Sequence, residues 1–108
     1  MTESRAWTFI VVAGLLEIAW AIGIKYSDGF SKPVPSALTI AAMAASMWLL
    51  AQALRVLPAG SGYAVWTGIG AVGTAILGIV LLGESRSLPR VLFIAMIVGG
   101  IVGVRVVK

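Results

Sequence analysis

Apolar positions along this chain fall into four long runs separated by short polar breaks. The first spans Trp7 to Ile24 (7–24) and stops at Lys25. The second spans Val34 to Leu54 (34–54) and stops at Arg55. The third spans Ala59 to Leu82 (59–82) and meets Gly83 and Glu84; the fourth spans Leu88 to Val107 (88–107) and ends at Lys108. A helix needs about 20 apolar residues to cross the hydrocarbon core, so each run predicts a membrane span. Arg105 can snorkel out of the fourth. The breaks carry turn chemistry: Ser27-Asp28-Gly29 with Pro33 and Pro35, then Pro58, then Glu84 to Ser87 with Pro89. Proline at a helix start costs little. Links this short make consecutive helices antiparallel neighbours. The expected architecture is all-α, a single four-helix transmembrane domain over 1–108, with no linker or low-complexity tract.

Composition sharpens this picture. Of 108 residues, 60% are apolar and 11% charged, against about 25% charged in a soluble domain. Cysteine and histidine are both absent, which excludes disulfides, thiol nucleophiles, Cys/His metal sites and Ser-His-Asp catalysis. No enzyme chemistry, cofactor or metal is expected. The formal charge of +4 sits between apolar runs, so lipid headgroups rather than nucleic acid are its natural neighbours. Ala19-Trp20-Ala21 imitates a signal-peptidase site, but the run before it contains Glu17 and only Arg5 precedes it.

Charge does not set an orientation. With four spans, one side carries Arg5, Arg55, Arg105 and Lys108, and the other Lys25, Lys32, Arg86 and Arg90. The positive-inside rule is therefore nearly silent. Either a few headgroup contacts fix one orientation, or the chain inserts both ways and opposite copies pair as an antiparallel dimer.

One residue is out of place for a merely structural bundle. Glu3, Asp28 and Glu84 lie at ends or loops, where a solvated charge is expected, but Glu17 is near the middle of the first span. An intramembrane acid costs about 3 kcal/mol on insertion scales, and by default it marks function. Desolvation favours its neutral form; otherwise it must face a wet cavity and meet a cation. The structural alternative is a protonated acid bonding between helices. At helical spacing from it lie Ile10, Ala13, Gly14, Ala21 and Ile24, with Trp20 on the next turn; small residues there admit neighbouring helices. Trp7 suits the interfacial belt, whereas Trp20 lies too deep.

The other spans contribute fewer polar groups. Ser46 is the mid-depth polar residue of the second, and could instead bond its own helix backbone. In the third, Tyr63, Trp66 and Thr67 share a face at i, i+3 and i+4. The glycine-dense stretch Gly68-Ile69-Gly70-Ala71-Val72-Gly73 is no nucleotide loop, since no strand precedes it and no basic residue follows. Gly68, Gly70 and Gly73 permit either a helix bend or close packing. Gly99 and Gly103 form a GxxxG pair in the fourth span, a pattern that favours helix association. Four thin helices enclose little, whereas a dimer would bring two Glu17 carboxylates together to titrate as a coupled pair.

Three stretches carry a family resemblance over essentially the whole chain: Gly14-Leu15-Leu16-Glu17-Ile18-Ala19-Trp20-Ala21 with Lys25 to Phe30, Trp48 to Leu54, and Pro58 to Gly70. The chain resembles the small multidrug resistance transporters. Trp20, three residues after the glutamate, and the run Trp66 to Gly73 resemble the guanidinium-exporting subtype; drug-exporting members tend to have a small residue at the Trp20 position. The resemblance implies a multi-pass protein of the bacterial inner membrane, working as an antiparallel dual-topology homodimer. It implies proton-coupled antiport of guanidinium-type cations, with both Glu17 side chains binding substrate and protons. Trp20, Ser46, Tyr63, Trp66 and Gly14 would line the site or orient Glu17, and the fourth helices would dimerise. Guanidinium suits such a site, because its planar rim of N–H donors wants carboxylates and its face wants aromatic rings. The alternatives are export of quaternary ammonium or polyaromatic cations, a proton-carrying ring subunit, and a pore-forming membrane peptide.

Overall fold

The structure, a computed structural model, describes residues 1–107; the chain stop at Lys108 lies outside them. It is all-helical: α1 (Glu3–Ser27), α2 (Pro33–Ala53), α3 (Ala59–Leu82) and α4 (Leu88–Val106). All four are long and apolar enough to cross a membrane, as the four apolar runs predict.

Helix ends follow capping chemistry rather than the hydrocarbon boundary. α1 extends past its apolar run at both ends. At its start the Thr2 hydroxyl accepts the Arg5 N–H at 3.2 Å, satisfying one of the free N–H groups of the first turn. At its other end Lys25 sits in the last turn, where a cation complements the helix dipole. The exit turn is tight: Asp28, Gly29 and Phe30 have φ of 51°, 70° and 64°. The fully buried Ser27 pins it, donating to the Ile24 carbonyl at 2.7 Å and accepting the Phe30 N–H at 3.0 Å. Prolines open α2 and α4 within their first two positions, where a missing N–H costs nothing.

α1 is the hub. It packs against α2 on one side and α3 on the other; the α4 backbone approaches only α3 among the described residues, with the Arg105 side chain reaching Trp7 of α1. The Cα envelope measures 40 × 35 × 16 Å. The subunit is therefore flattened, less than half as deep as it is wide or tall. Close approach comes from small residues, as expected where lipid provides no hydrophobic drive. A Cβ on Gly14 would stand 2.7 Å from Ile69 Cγ2, so this glycine lets α3 settle on α1. A Cβ on Gly68 would meet Ile101 of α4, and one on Gly73 would meet Ile18 of α1.

The apolar core is lopsided. Ala6, Ile10, Ala13, Leu50, Ala53, Leu57, Val65 and Trp66 form it, and all lie in the half of the bundle nearer the α2–α3 turn. Toward the opposite end the buried residues are Ile22, Ser27, Ser36, Thr39 and Gly78. That half is loosely packed. None of the described residues of α4 is buried.

Candidate functional site

The centre of α1 presents Glu17 toward α3. Its carboxyl group lies on Gly70, where any Cβ would collide with the Glu17 Cγ, Cδ and Oε1 atoms. The residue that admits the carboxylate is thus identifiable: a glycine on the facing helix, buried at the contact. Glu17 Oε1 is buried and has no hydrogen-bond partner among the described residues. Trp20, one turn along the same helix, is in the same condition, with its Nε1 buried and unpartnered. An acceptor and a donor, both unsatisfied, therefore sit one turn apart at mid-membrane depth, where an orphaned polar group is costly.

Beside them runs a satisfied network. Ser46, fully buried on α2, donates to the Ala13 carbonyl of α1 at 2.7 Å. It accepts the Trp66 indole N–H from α3 at 3.1 Å. One hydroxyl thereby ties three helices. In an α-helix the carbonyl of residue 13 also receives the N–H of residue 17, so the network grips the turn that carries Glu17. The serine bonds neither its own helix nor the Glu17 carboxylate. Its contact reaches Glu17 through the backbone, which the sequence alone does not reveal.

The remaining expected site residues are dispersed. Tyr63 leans on Trp66, with ring centroids 5.4 Å apart and planes at 53°, but it is 54% exposed; it faces outward from the single subunit. Gly14 meets Ile69, not the carboxylate. α3 runs unbroken through Gly68, Gly70 and Gly73, and each of these glycines receives a side chain from a neighbouring helix. Gly99 and Gly103 face open space, with nothing within 4 Å of a Cβ at either.

The two ends of the bundle carry charge contacts. At the end holding the α2–α3 turn, the Arg105 guanidinium lies over the Trp7 ring, 4.7 Å from its centroid. This is a cation–π contact that fixes the interfacial tryptophan. At the other end Glu84, expected as a solvated charge, accepts from Arg90 Nη2 at 2.9 Å.

The family model described as Small Multidrug Resistance protein matches residues 5–97. A protein of Yersinia pseudotuberculosis named guanidinium exporter is 65% identical over 100 residues, covering 93% of this chain and 96% of that one. Proteins of the same name from Proteus vulgaris and Escherichia coli K12 are 56% and 57% identical over 100 residues, 93% of this chain in each case and 96% and 95% of theirs.

Proposed function

The chain belongs to the small multidrug resistance family of membrane transporters, and on that premise we propose that it exports guanidinium and small substituted guanidinium cations across the bacterial inner membrane in exchange for protons. One observation carries the reading: a Glu17 carboxylate oxygen, mid-helix in a membrane span, is buried with no partner among the described residues. Such a group is tolerable in two states, as the neutral acid or as an anion paired with a cation. Alternation between them is proton–cation exchange. Guanidinium keeps its charge at physiological pH and offers paired N–H donors in one plane, a match for a carboxylate. Trp20 supplies an indole N–H that suits a carboxylate oxygen and a ring face that suits a planar cation.

The working unit is an antiparallel, dual-topology homodimer. Support comes from the even split of basic residues between the two sides, from a flattened subunit whose Cα envelope is 16 Å in its thinnest direction, and from the open Gly99–Gly103 face of α4. Two subunits bring two Glu17 side chains to one cavity. Protons bind the pair from the acidic side, the cavity reopens inward, and cytoplasmic cation displaces the protons. The loaded dimer then reverses and releases the cation outside. Ser46 and Trp66 hold the Glu17 turn through Ala13 while this happens, and the glycines of α3 let that helix shift against α1 and α4.

Competition for one carboxylate pair has a direct signature. Guanidinium added to the purified protein in weakly buffered detergent should release protons to a pH-indicator dye. Glu17→Gln should release none. Release driven by a quaternary ammonium drug but not by guanidinium would move the substrate class to the wider cations. Equal release from wild type and Glu17→Gln would remove Glu17 from the site.

A further inference from the structure

The loosely packed half of the bundle contains a groove of about 380 Å³ between α1, α3 and the start of α4, lined among others by Lys25, Ala21, Ala71, Thr74, Glu84 and Arg90. Glu17 does not itself line the groove, but two lining residues adjoin its seat. Ala21 is one turn beyond Glu17 on α1, and Ala71 adjoins Gly70, on which the Glu17 carboxyl lies.

Its outer end holds a second carboxylate seated as the first is. Gly78 is buried under Glu84, and a Cβ there would stand 2.6 Å from Glu84 Oε1. Gly83, with φ of 66°, turns the chain back after α3. The Glu84 N–H then bonds the Gly78 carbonyl at 3.1 Å, as the Gly83 N–H also does, closing the helix end on that one carbonyl. Backbone and glycine together place the Glu84 carboxylate over the groove. Gly70, Thr74 and Gly78 follow one another at intervals of four along one face of α3. The two carboxylates thus rest on the same helix face about 12 Å apart along its axis. Midway lies Thr74, whose hydroxyl is buried and unpartnered among the described residues.

What occupies Glu84 is itself a guanidinium group, that of Arg90, at 2.9 Å. Both side chains are partly exposed, at 44% and 36%, so the pair is weak and readily exchanged. Lys25 lines the same groove and forms no ion pair among the described residues. With Glu84 engaged by Arg90, the groove carries a net positive charge that opposes an entering cation.

We infer that this groove is the aqueous vestibule leading to Glu17 from the α1–α2 and α3–α4 loop side, that Glu84 is an outer binding site for guanidinium-type cations, and that Arg90 is the tethered competitor that keeps it closed. The assignment of substrate rests on the exporter reading above. An arriving cation takes the Glu84 carboxylate from Arg90, lowers the barrier, and passes along the Thr74 face to Glu17. In an antiparallel dimer one such gate lies at each membrane face.

Two measurements test it. In proteoliposomes, Glu84→Gln should raise the guanidinium KM roughly two- to fivefold, the range an exposed ion pair supports, with kcat unchanged. Arg90→Gln should lower KM, and opposite signs from two partners of one pair are not what general damage produces. Because the chain has no cysteine, Ala71→Cys places a unique thiol in the groove. A membrane-impermeant cationic thiosulfonate should label it, and faster when Arg90→Gln is added. Ile76→Cys, nearer the water but outside the groove, should stay unlabelled. Wild-type KM in both charge variants overturns the outer site and leaves the exporter reading intact. Ala71→Cys labelling no faster than Ile76→Cys overturns the vestibule. If the wild type moves no guanidinium, the exporter reading and the outer site fall together, and the labelling rates still decide the vestibule.

Discussion

Replacing Gly70 with alanine should separate the seat of Glu17 from the stability of the bundle. A Cβ at this position would meet the Cγ, Cδ and Oε1 atoms of Glu17, the outer part of a flexible side chain. The carboxyl group can rotate away, so the overpacking cost should stay near the lower end of the usual range of about 1–3 kcal/mol. Alanine also gains about 1 kcal/mol of helix propensity over glycine. The two nearly cancel, and the melting temperature in detergent should change little. Cation binding should not survive as well. A carboxylate pushed off its seat loses charge-assisted hydrogen bonds worth about 1.5–3 kcal/mol, or roughly ten- to hundredfold in affinity. Gly73→Ala is the contrast. Its Cβ would meet Ile18 at Cγ1, Cγ2 and Cδ1, a β-branched chain held stiffly in a helix, so the overpacking cost should lie near the upper end of that range and, after the same propensity gain, about 2 kcal/mol of stability should be lost. Thermal melting with calorimetric guanidinium titration reads both quantities. Equal melting losses in the two variants, with wild-type affinity in Gly70→Ala, would refute the assignment of Gly70 as the platform for Glu17.

Other expectations follow from the same contacts. Ser46→Ala strands the Trp66 indole N–H and should cost about 1–3 kcal/mol; adding Trp66→Phe should cost less than the sum, a coupling that thermal melts of the double-mutant cycle would expose. Arg105→Ala removes the cation–π contact with Trp7 and should cost only about 0.5–1 kcal/mol, visible as a small melting shift. Gly99→Leu, which meets nothing within the subunit, should leave helix content intact while dissociating the dimer in light-scattering chromatography; an unchanged dimer would place its interface elsewhere.

Much of the helical frame is legible in the sequence because lipid imposes a length on every span. Polar breaks between apolar runs give the helix count directly. They locate the helix ends less well, since Thr2 capping and Lys25 at the dipole terminus carry α1 beyond its apolar run. Glu17 stands out by the same physics, as a charge where charge is costly. Its surroundings do not, because they depend on which residue of α3 lies opposite. Nothing local distinguishes Gly70, which takes the carboxyl group, from Gly68 and Gly73, which take isoleucines. Likewise Ser46 could be read as bonding its own helix or a carboxylate, and it instead joins Ala13 and Trp66. Glu84 reads as a loop charge until Gly83 folds it back over Gly78 toward Arg90.

The central claim, that protons and guanidinium exchange at Glu17, is tested most directly by guanidinium-driven proton movement in liposomes containing the purified protein, beside a Glu17→Gln control. An outward guanidinium gradient should drive protons inward with wild type and leave the Glu17→Gln liposomes silent. Proton movement that persists in Glu17→Gln, or guanidinium flux in wild type with no accompanying protons, would contradict it.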